Sequence, residues 1–345
     1  MTLATIFPLF ASASMAVQIP AAPTCPPVIA PPTTISDEAR EALSLDADQR
    51  FMRSDPASEE DWIALQESSK KAGARWIAAL VAEHGLGVDW QTLGGVPAAW
   101  VHPDGTAPGP DDTIIFNLHG GGYALNGGDA ALYTAASFAQ LEGMSSVTID
   151  YRLTPQHPWP AALDDAVAAY RALIRDRSPE TIAVYGLSAG GGLGAAFLLK
   201  LRDEGLPLPR AAVLNSPWSD VTLASDTVQT LDCEDIRLGR SQASLRQLAR
   251  FYARGSNAAD PLIAPGFGDW SGIDTPTLLV SGTRDAMLSD TVRLHRAMWR
   301  AGVPTQLIVH EGMWHAFSVK PEFEAMIADT VRFFREPDHR PETDG

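Results

Sequence analysis

Several things are scarce in this chain of 345 residues, and each scarcity narrows the reading. There are two cysteines, Cys25 and Cys233. Two cannot build a disulfide framework, and they stand in no metal-ligand spacing. The favoured expectation is a pair of thiols, with a Cys25–Cys233 disulfide as the alternative. Basic residues are outnumbered: 26 Lys and Arg face 42 Asp and Glu, for a net charge of −16. Such a surface repels phosphate backbones and anionic lipid, so no nucleic-acid partner is expected and the charge reads as a solubility feature. No apolar run of about 18 residues occurs beyond the N-terminus, so no membrane span is expected. No internal repeat is present, which leaves nothing to build a propeller or solenoid.

Charge is absent from the first 36 residues; the first charged side chain is Asp37. The opening stretch MTLATIFPLFASASMA resembles a secretory signal, an apolar segment followed by small residues. It lacks Lys and Arg at its start, Pro8 interrupts it, and Met15 offers another start. A cytoplasmic protein is the favoured expectation, a secreted or periplasmic one the alternative. Residues 1–36 read as an apolar, proline-rich tail.

What is present is ordered. Residues 37–85 read as helical, with Trp62, Ile63, Leu65, Trp76, Ile77 and Leu80 near helical spacing. Strands and helices then alternate. Strands are predicted at 113–118, 147–150, 181–185, 211–215, 277–281 and 305–310, and helices at 161–175, 192–200, 290–301 and 321–335. Residues 218–258 break the rhythm and read as a mostly helical insertion. Alternation of this kind predicts an α/β fold, a mostly parallel sheet covered by helices, with ligands at the carboxyl ends of the strands.

The sharpest local signal is AVYGLSAGGGLGAA, residues 183–196. Ser188 sits between a short β-branched run and an Ala/Leu-rich one, in Gly186-Leu187-Ser188-Ala189-Gly190. A serine on a strand-to-helix turn stands clear of the sheet, and glycines leave room for the tight backbone. A serine hydroxyl attacks only when a base takes its proton and a carboxylate orients that base. On this kind of sheet the order is Ser, Asp or Glu, then His. Asp285, in the turn after the 277–281 strand, is the favoured acid; Asp290 is the rival, read instead as a helix N-cap, and Asp260 and Asp274 follow no strand end. His315, beyond the 305–310 strand, is the favoured base over His310, His295 and His339. An attacked carbonyl also needs donors for its oxyanion, and His119-Gly120-Gly121-Gly122, directly after the first strand of the alternating series, supplies bare backbone N–H groups.

Taken together, HGGGY, YRLTPQHPWPAALDD, GLSAGGG, SPWSD, ADPLIAP, GTRDAMLSD and GMWHAF resemble the hormone-sensitive-lipase branch of the α/β-hydrolases, the esterases with an H-G-G-G motif, from Thr113 to Phe317. The resemblance implies an α/β-hydrolase core over 86–217 and 259–338. It implies a helical cap from 37–85 and 218–258. Ser188 would be nucleophile, Asp285 acid and His315 base, with oxyanion donors from Gly121, Gly122 and Ala189. No cofactor or metal is implied. The substrate would be a small carboxylic ester of short to medium acyl chain, and a homodimer is compatible. One departure is Leu187, where the family usually has Asp or Glu before the nucleophile. The YRLTPQHP segment reads as structural, with Arg152 and its prolines bracing the loop. Two alternatives stand beside the esterase. The 282–304 stretch is similar to relatives that open lactones, which are internal esters. A non-catalytic receptor on this fold, like the plant gibberellin receptors, would have lost the base histidine, and His315 is present.

Overall fold

The computed structural model describes residues 29–44, 56–103, 106–239 and 241–337. The signal-like opening stretch therefore lies outside the described residues, as does His339.

Five strands form the interior of the parallel part of the sheet: β3 (Ile114–Leu118), β5 (Ile182–Leu187), β6 (Ala211–Asn215), β7 (Thr277–Gly282) and β4 (Ser146–Ile149). Their residues are buried almost without interruption. Continuous β-branched and apolar runs of this kind suit strands covered on both faces. Alternate side chains enter two separate cores. Phe116, Val184 and Leu214 point into one, and Ile115, Tyr185 and Val213 into the other. The first core is closed by α4 (Ala161–Leu173), α5 (Ala189–Asp203) and α8 (Leu288–Arg300), through residues such as Leu163, Phe197 and Met298. The second is closed by α3 (Tyr133–Glu142) and α9 (Glu322–Arg335), through Phe138, Ile327 and Phe334.

Eight strands are ordered β1-β2-β4-β3-β5-β6-β7-β8, with β1 (Gly87–Leu93) and β2 (Val96–His102) antiparallel at one edge and β8 (Thr305–His310) parallel at the other. The β1–β2 hairpin is not expected from the sequence pattern. Its first strand is largely exposed and polar, so it lacks an apolar alternation, and the turn rests on Gly94 and Gly95 at φ 59° and 88°. Helix α3 is likewise unforeseen, because its buried residues, Phe138 apart, are small: alanine, serine and threonine. Strand β3 lies between β4 and β5, so the chain reverses direction across the sheet there. The carboxyl ends at such a reversal open a crevice.

Helix α1 (Asp37–Ser44) packs Ala39 and Leu43 into the second core, and two further helical parts stand outside the strand–helix alternation. One is α2 (Glu59–His84), started by a capping box between Ser58 and Asp61 and ended at Gly85 in the left-handed region. The other follows β6 and holds α6 (Asp226–Thr230) and α7 (Gln242–Tyr252), joined by turns; it is less helical than the sequence pattern predicts. The two meet where Trp62 Nε1 donates to Gln247 Oε1 at 2.8 Å. Gln66 Nε2 reaches the Thr154 carbonyl at 2.6 Å, tying α2 to the loop after β4. Trp76 is half exposed and packs its ring on Tyr133 of α3.

The cysteine expectation is corrected. Cys233 is disulfide-bonded, and the chain's other cysteine, Cys25, lies outside the described residues. Spacing along the chain carries no information on how near two sulfurs come in space.

The loop after β4 is braced as its charges suggest. Arg152 grips Asp165 on α4 with Nε at 3.0 Å and Nη2 at 2.8 Å, and its backbone N–H donates to Asp165 Oδ2 at 2.8 Å. The guanidinium is half exposed, so screening weakens its Coulomb share; the backbone hydrogen bond to a buried carboxylate is less screened. Asp165→Ala should therefore lower stability by roughly 1–3 kcal/mol, read as a lower urea midpoint at unchanged m-value.

Candidate active site

Ser188 links β5 to α5 at φ 58° and ψ −119°, a backbone region that L-residues avoid. Three hydrogen bonds hold it: Ser188 N–H to Asn215 O at 2.9 Å, and the N–H groups of Gly192 and Trp218 to Ser188 O at 3.0 Å each. The flanking glycines are required by space. A Cβ on Gly186 would lie 2.3 Å from Gly190 O, and one on Gly190 would lie 2.0 Å from Leu118 O. Leu187 packs its side chain with the Tyr185 core.

His315 stands in the loop after β8 and Asp285 in the turn after β7. His315 Nε2 is 2.7 Å from Ser188 Oγ, and His315 Nδ1 is 3.0 Å from Asp285 Oδ1. Serine is half-buried; Asp285 and His315 are buried. Asp285 Oδ1 also accepts the Met287 N–H at 2.8 Å, and Oδ2 accepts the Ser281 hydroxyl at 2.7 Å. Burial pushes the Asp285 carboxyl up, but the His315 charge, the hydrogen bonds from His315 and Ser216, and the Met287 N–H outweigh it, and the carboxyl ends below its ordinary value. It is therefore an anion facing the imidazole. Ser188, Asp285 and His315, far apart in sequence, are brought into one line.

The H-G-G-G loop lies against the serine turn: a Cβ on Gly120 would be 3.3 Å from Ser188 Cβ. His119 shapes this loop without facing Ser188 through a hydrogen bond. Its ring stacks on Tyr151 at 4.1 Å, Tyr151 donates to the His119 carbonyl at 2.7 Å, and burial holds its pKa down. Its Nδ1–H donates to Gly120 O at 2.8 Å, and Asn126 Nδ2 reaches the same oxygen at 3.3 Å. Because a trans peptide sets its N–H opposite its C=O, fixing the Gly120 carbonyl also fixes the Gly121 N–H on the other side. Gly121 and Gly122 follow at φ 118° and 63°, and Leu248 of α7 closes over Gly122, 2.6 Å from where its Cβ would be. Ala189 is buried at the first turn of α5.

The rival residues fall elsewhere. His310 lies in β8 with its ring against Phe317, His295 is half-buried on α8, and Asp274 is exposed. Asp260 accepts the Leu262 N–H within its own turn. The N-cap reading of Asp290 is corrected: Met287 occupies the cap position, and Asp290 is buried one turn in, where Oδ2 accepts the Asp220 N–H at 3.2 Å. Sequence spacing places Asp290 at a helix start but cannot show that Asp220 and its loop cover that start. Among the described residues, no cluster of three His, Cys, Asp or Glu side chains could hold a metal ion, and no helix is long and apolar enough to cross a membrane. Asp235, which no spacing rule singles out, also reaches this site.

Comparison with known proteins finds matches by family, sequence and structure. A family model described as an alpha/beta hydrolase fold matches residues 115–319. An acetyl-hydrolase of Streptomyces hygroscopicus is 35% identical over 252 residues, 72% of this chain and 82% of the relative. The crystal structure of esterase E25 superposes with a TM-score of 0.80 at 29% identity, covering 91% of this chain and 98% of that one. An esterase from the bacterial hormone-sensitive lipase family gives a TM-score of 0.74 at 30% identity, over 88% of this chain and 99% of that one.

This chain belongs to the α/β-hydrolase-fold esterases of the hormone-sensitive-lipase family. The esterase is a hydrolase of carboxylic esters, as its relatives' names state of them.

The buried Asp290 carboxyl works against the esterase's own fold. Burial pushes Asp290 up to about 7; the Asp220 charge adds to this, while Ser225, Arg293 and the Asp220 N–H oppose it. A folded-state pKa above the unfolded value leaves stability intact below the unfolded pKa and removes it as pH rises through the folded one. The loss thus develops between about pH 4 and 7. Asp290→Asn should stabilise the esterase at pH 8, by an amount on the order of a few kcal/mol, and change little near pH 4; urea midpoints at the two pH values test this.

Proposed function

We propose that the esterase hydrolyses small esters of short to medium acyl chain through Ser188 as nucleophile, His315 as general base and acid, and Asp285 as the anion that orients His315. The observation that carries this reading is the line from Ser188 Oγ to His315 Nε2 at 2.7 Å and from His315 Nδ1 to Asp285 Oδ1 at 3.0 Å. Ser188 Oγ bonds to the ester carbonyl carbon as its proton passes to Nε2. The tetrahedral oxyanion is met by the N–H groups of Gly121, Gly122 and Ala189. Collapse breaks the bond to the alcohol oxygen, which takes the proton from Nε2. Water then attacks the acyl-enzyme, giving its proton to His315, and Ser188 is restored as the acid leaves.

Residues 37–85 and 218–258 form the cap over this site in our reading, with 86–217 and 259–338 as the catalytic core. The Trp62–Gln247 hydrogen bond joins the two cap segments, and Leu248 presses on the oxyanion loop at Gly122. A large apolar side chain there limits the space beside the carbonyl, which supports a small acyl group. The acetyl-hydrolase name of the relative from Streptomyces points the same way.

A panel of p-nitrophenyl esters of increasing acyl length, with several lactones, tests the substrate class. We expect kcat/KM to fall from short and medium to long chains and to be lower for lactones; a preferred lactone would overturn the ester reading. Ser188→Ala should reduce kcat/KM by about a millionfold and Asp285→Asn by about ten-thousandfold. Asp290→Asn should stay within about tenfold of the parent; were it the more damaging change, Asp285 would not be the acid. Leu248→Ala should move the optimum to longer acyl chains, read as the ratio of kcat/KM for hexanoate to acetate, which should rise.

A further inference from the structure

A carboxylate removed from solvent must find hydrogen-bond donors within the protein. Asp235 lies in the turn after α6 and has no solvent exposure. Its Oδ1 accepts the N–H groups of Arg237 at 2.8 Å and Leu238 at 2.9 Å, which closes its own turn. Its Oδ2 reaches outward. It accepts the Ala286 N–H at 2.8 Å and the His315 N–H at 3.3 Å. Ala286 directly follows Asp285. One oxygen atom therefore joins the backbone of the acid's turn to the backbone of the base itself, across 30 residues of chain.

The residue before Asp285 is tied to the same turn. Glu234 pairs with Arg284 at 2.9 Å, both buried, and Arg284 donates its remaining hydrogen bonds to the carbonyls of Ile29 and Ala30. Consecutive carboxylates thus hold the residues on either side of Asp285, and only Asp235 also holds His315. A proton relay depends on sub-ångström placement, and a 1 Å error far from the chemistry can cost about a hundredfold in rate.

We propose that Asp235 is a positioning residue of this active site: its buried carboxylate bridges the Ala286 and His315 amides and sets the separation at which His315 reaches both Asp285 and Ser188. This rests on the assignment of those three residues proposed above. Burial pushes the Asp235 carboxyl up and the Asp285 charge adds to this, while His315 and the donated N–H groups favour the anion. An amide cannot take its place. Asparagine offers one acceptor oxygen and one NH2, so a donor must face either the Arg237 and Leu238 amides or those of Ala286 and His315.

The test is steady-state kinetics of Asp235→Asn on a p-nitrophenyl ester. It is joined by proton NMR of the deshielded imidazole N–H that His315 shares with Asp285. We expect kcat to fall by about tenfold to a hundredfold with KM within about threefold, because the relay and not the substrate contacts is disturbed. The low-field proton should shift or vanish, yet persist in Ser188→Ala. Asp235→Ser, smaller and with one hydroxyl acceptor, is measured in parallel, and whichever variant melts cooperatively is scored. A kcat within twofold of the parent, or a reduced kcat with an unmoved low-field proton, overturns the proposal. Full turnover in Ser188→Ala would instead overturn the assignment of the site, whatever Asp235 does.

Discussion

The tight turn at Ser188, at φ 58° and ψ −119°, is the constraint from which the neighbourhood follows. Such a conformation costs an L-residue about 1–3 kcal/mol and persists only where surrounding contacts enforce it. Here the enforcement comes from strands on both sides. Asn215 at the end of β6 accepts the Ser188 N–H, and the carbonyl of Leu118 at the end of β3 lies so near Gly190 that no side chain fits between them. The same closeness brings the glycine loop after β3 beside the serine. A sheet whose chain reverses at β3 therefore sets two glycine-rich turns side by side, and a nucleophile with its oxyanion donors needs that arrangement.

Around this turn the structure concentrates buried acids, and their environments differ. Asp285 is held below its ordinary pKa by His315 and hydrogen bonds, Asp290 is raised to about 7 by burial, and Asp235 is raised by burial and by Asp285. Like charges in one low-dielectric region repel, so each must be matched by its own donors. Asp285 takes the imidazole, Asp235 takes four amides, and Asp220 takes Arg293 at 2.7 Å. Asp290 has one carboxyl oxygen, Oδ1, with no hydrogen-bond partner among the described residues, and burial raises its pKa to about 7.

In the proposed reading, substrate shape is governed from further away. Helix α7 reaches the oxyanion loop through Leu248, and it also reaches α2 through Gln247 and the loop after β4 through the Tyr252 carbonyl, which accepts the Trp159 N–H at 2.8 Å. These contacts hold the helix whose Leu248 faces Gly122. In the proposed mechanism, acyl preference is thus a property of packing between segments remote in sequence, whereas the reaction class belongs to the strand ends.

Buried strands, the serine turn and the glycine loop could be read from the chain because each rests on local chemistry: an unbroken apolar run, or glycines where a Cβ has no room. Motif order along the chain points to Asp285 and His315 over Asp290 and His295, and the structure joins those two to each other and to Ser188 by hydrogen bonds. The β1–β2 hairpin and α3 carried too little apolar pattern to be seen. Cys233, Asp290 and Asp235 were misread or unnoticed for another reason. A disulfide, a raised carboxyl and an amide-bridging carboxylate all depend on what packs against a side chain from 50 or more residues away. The sequence by itself determined the buried parallel strands, the serine turn and the glycine loop. Only the tertiary structure decided which of its many acids lost their water, because burial is a property of neighbours in space.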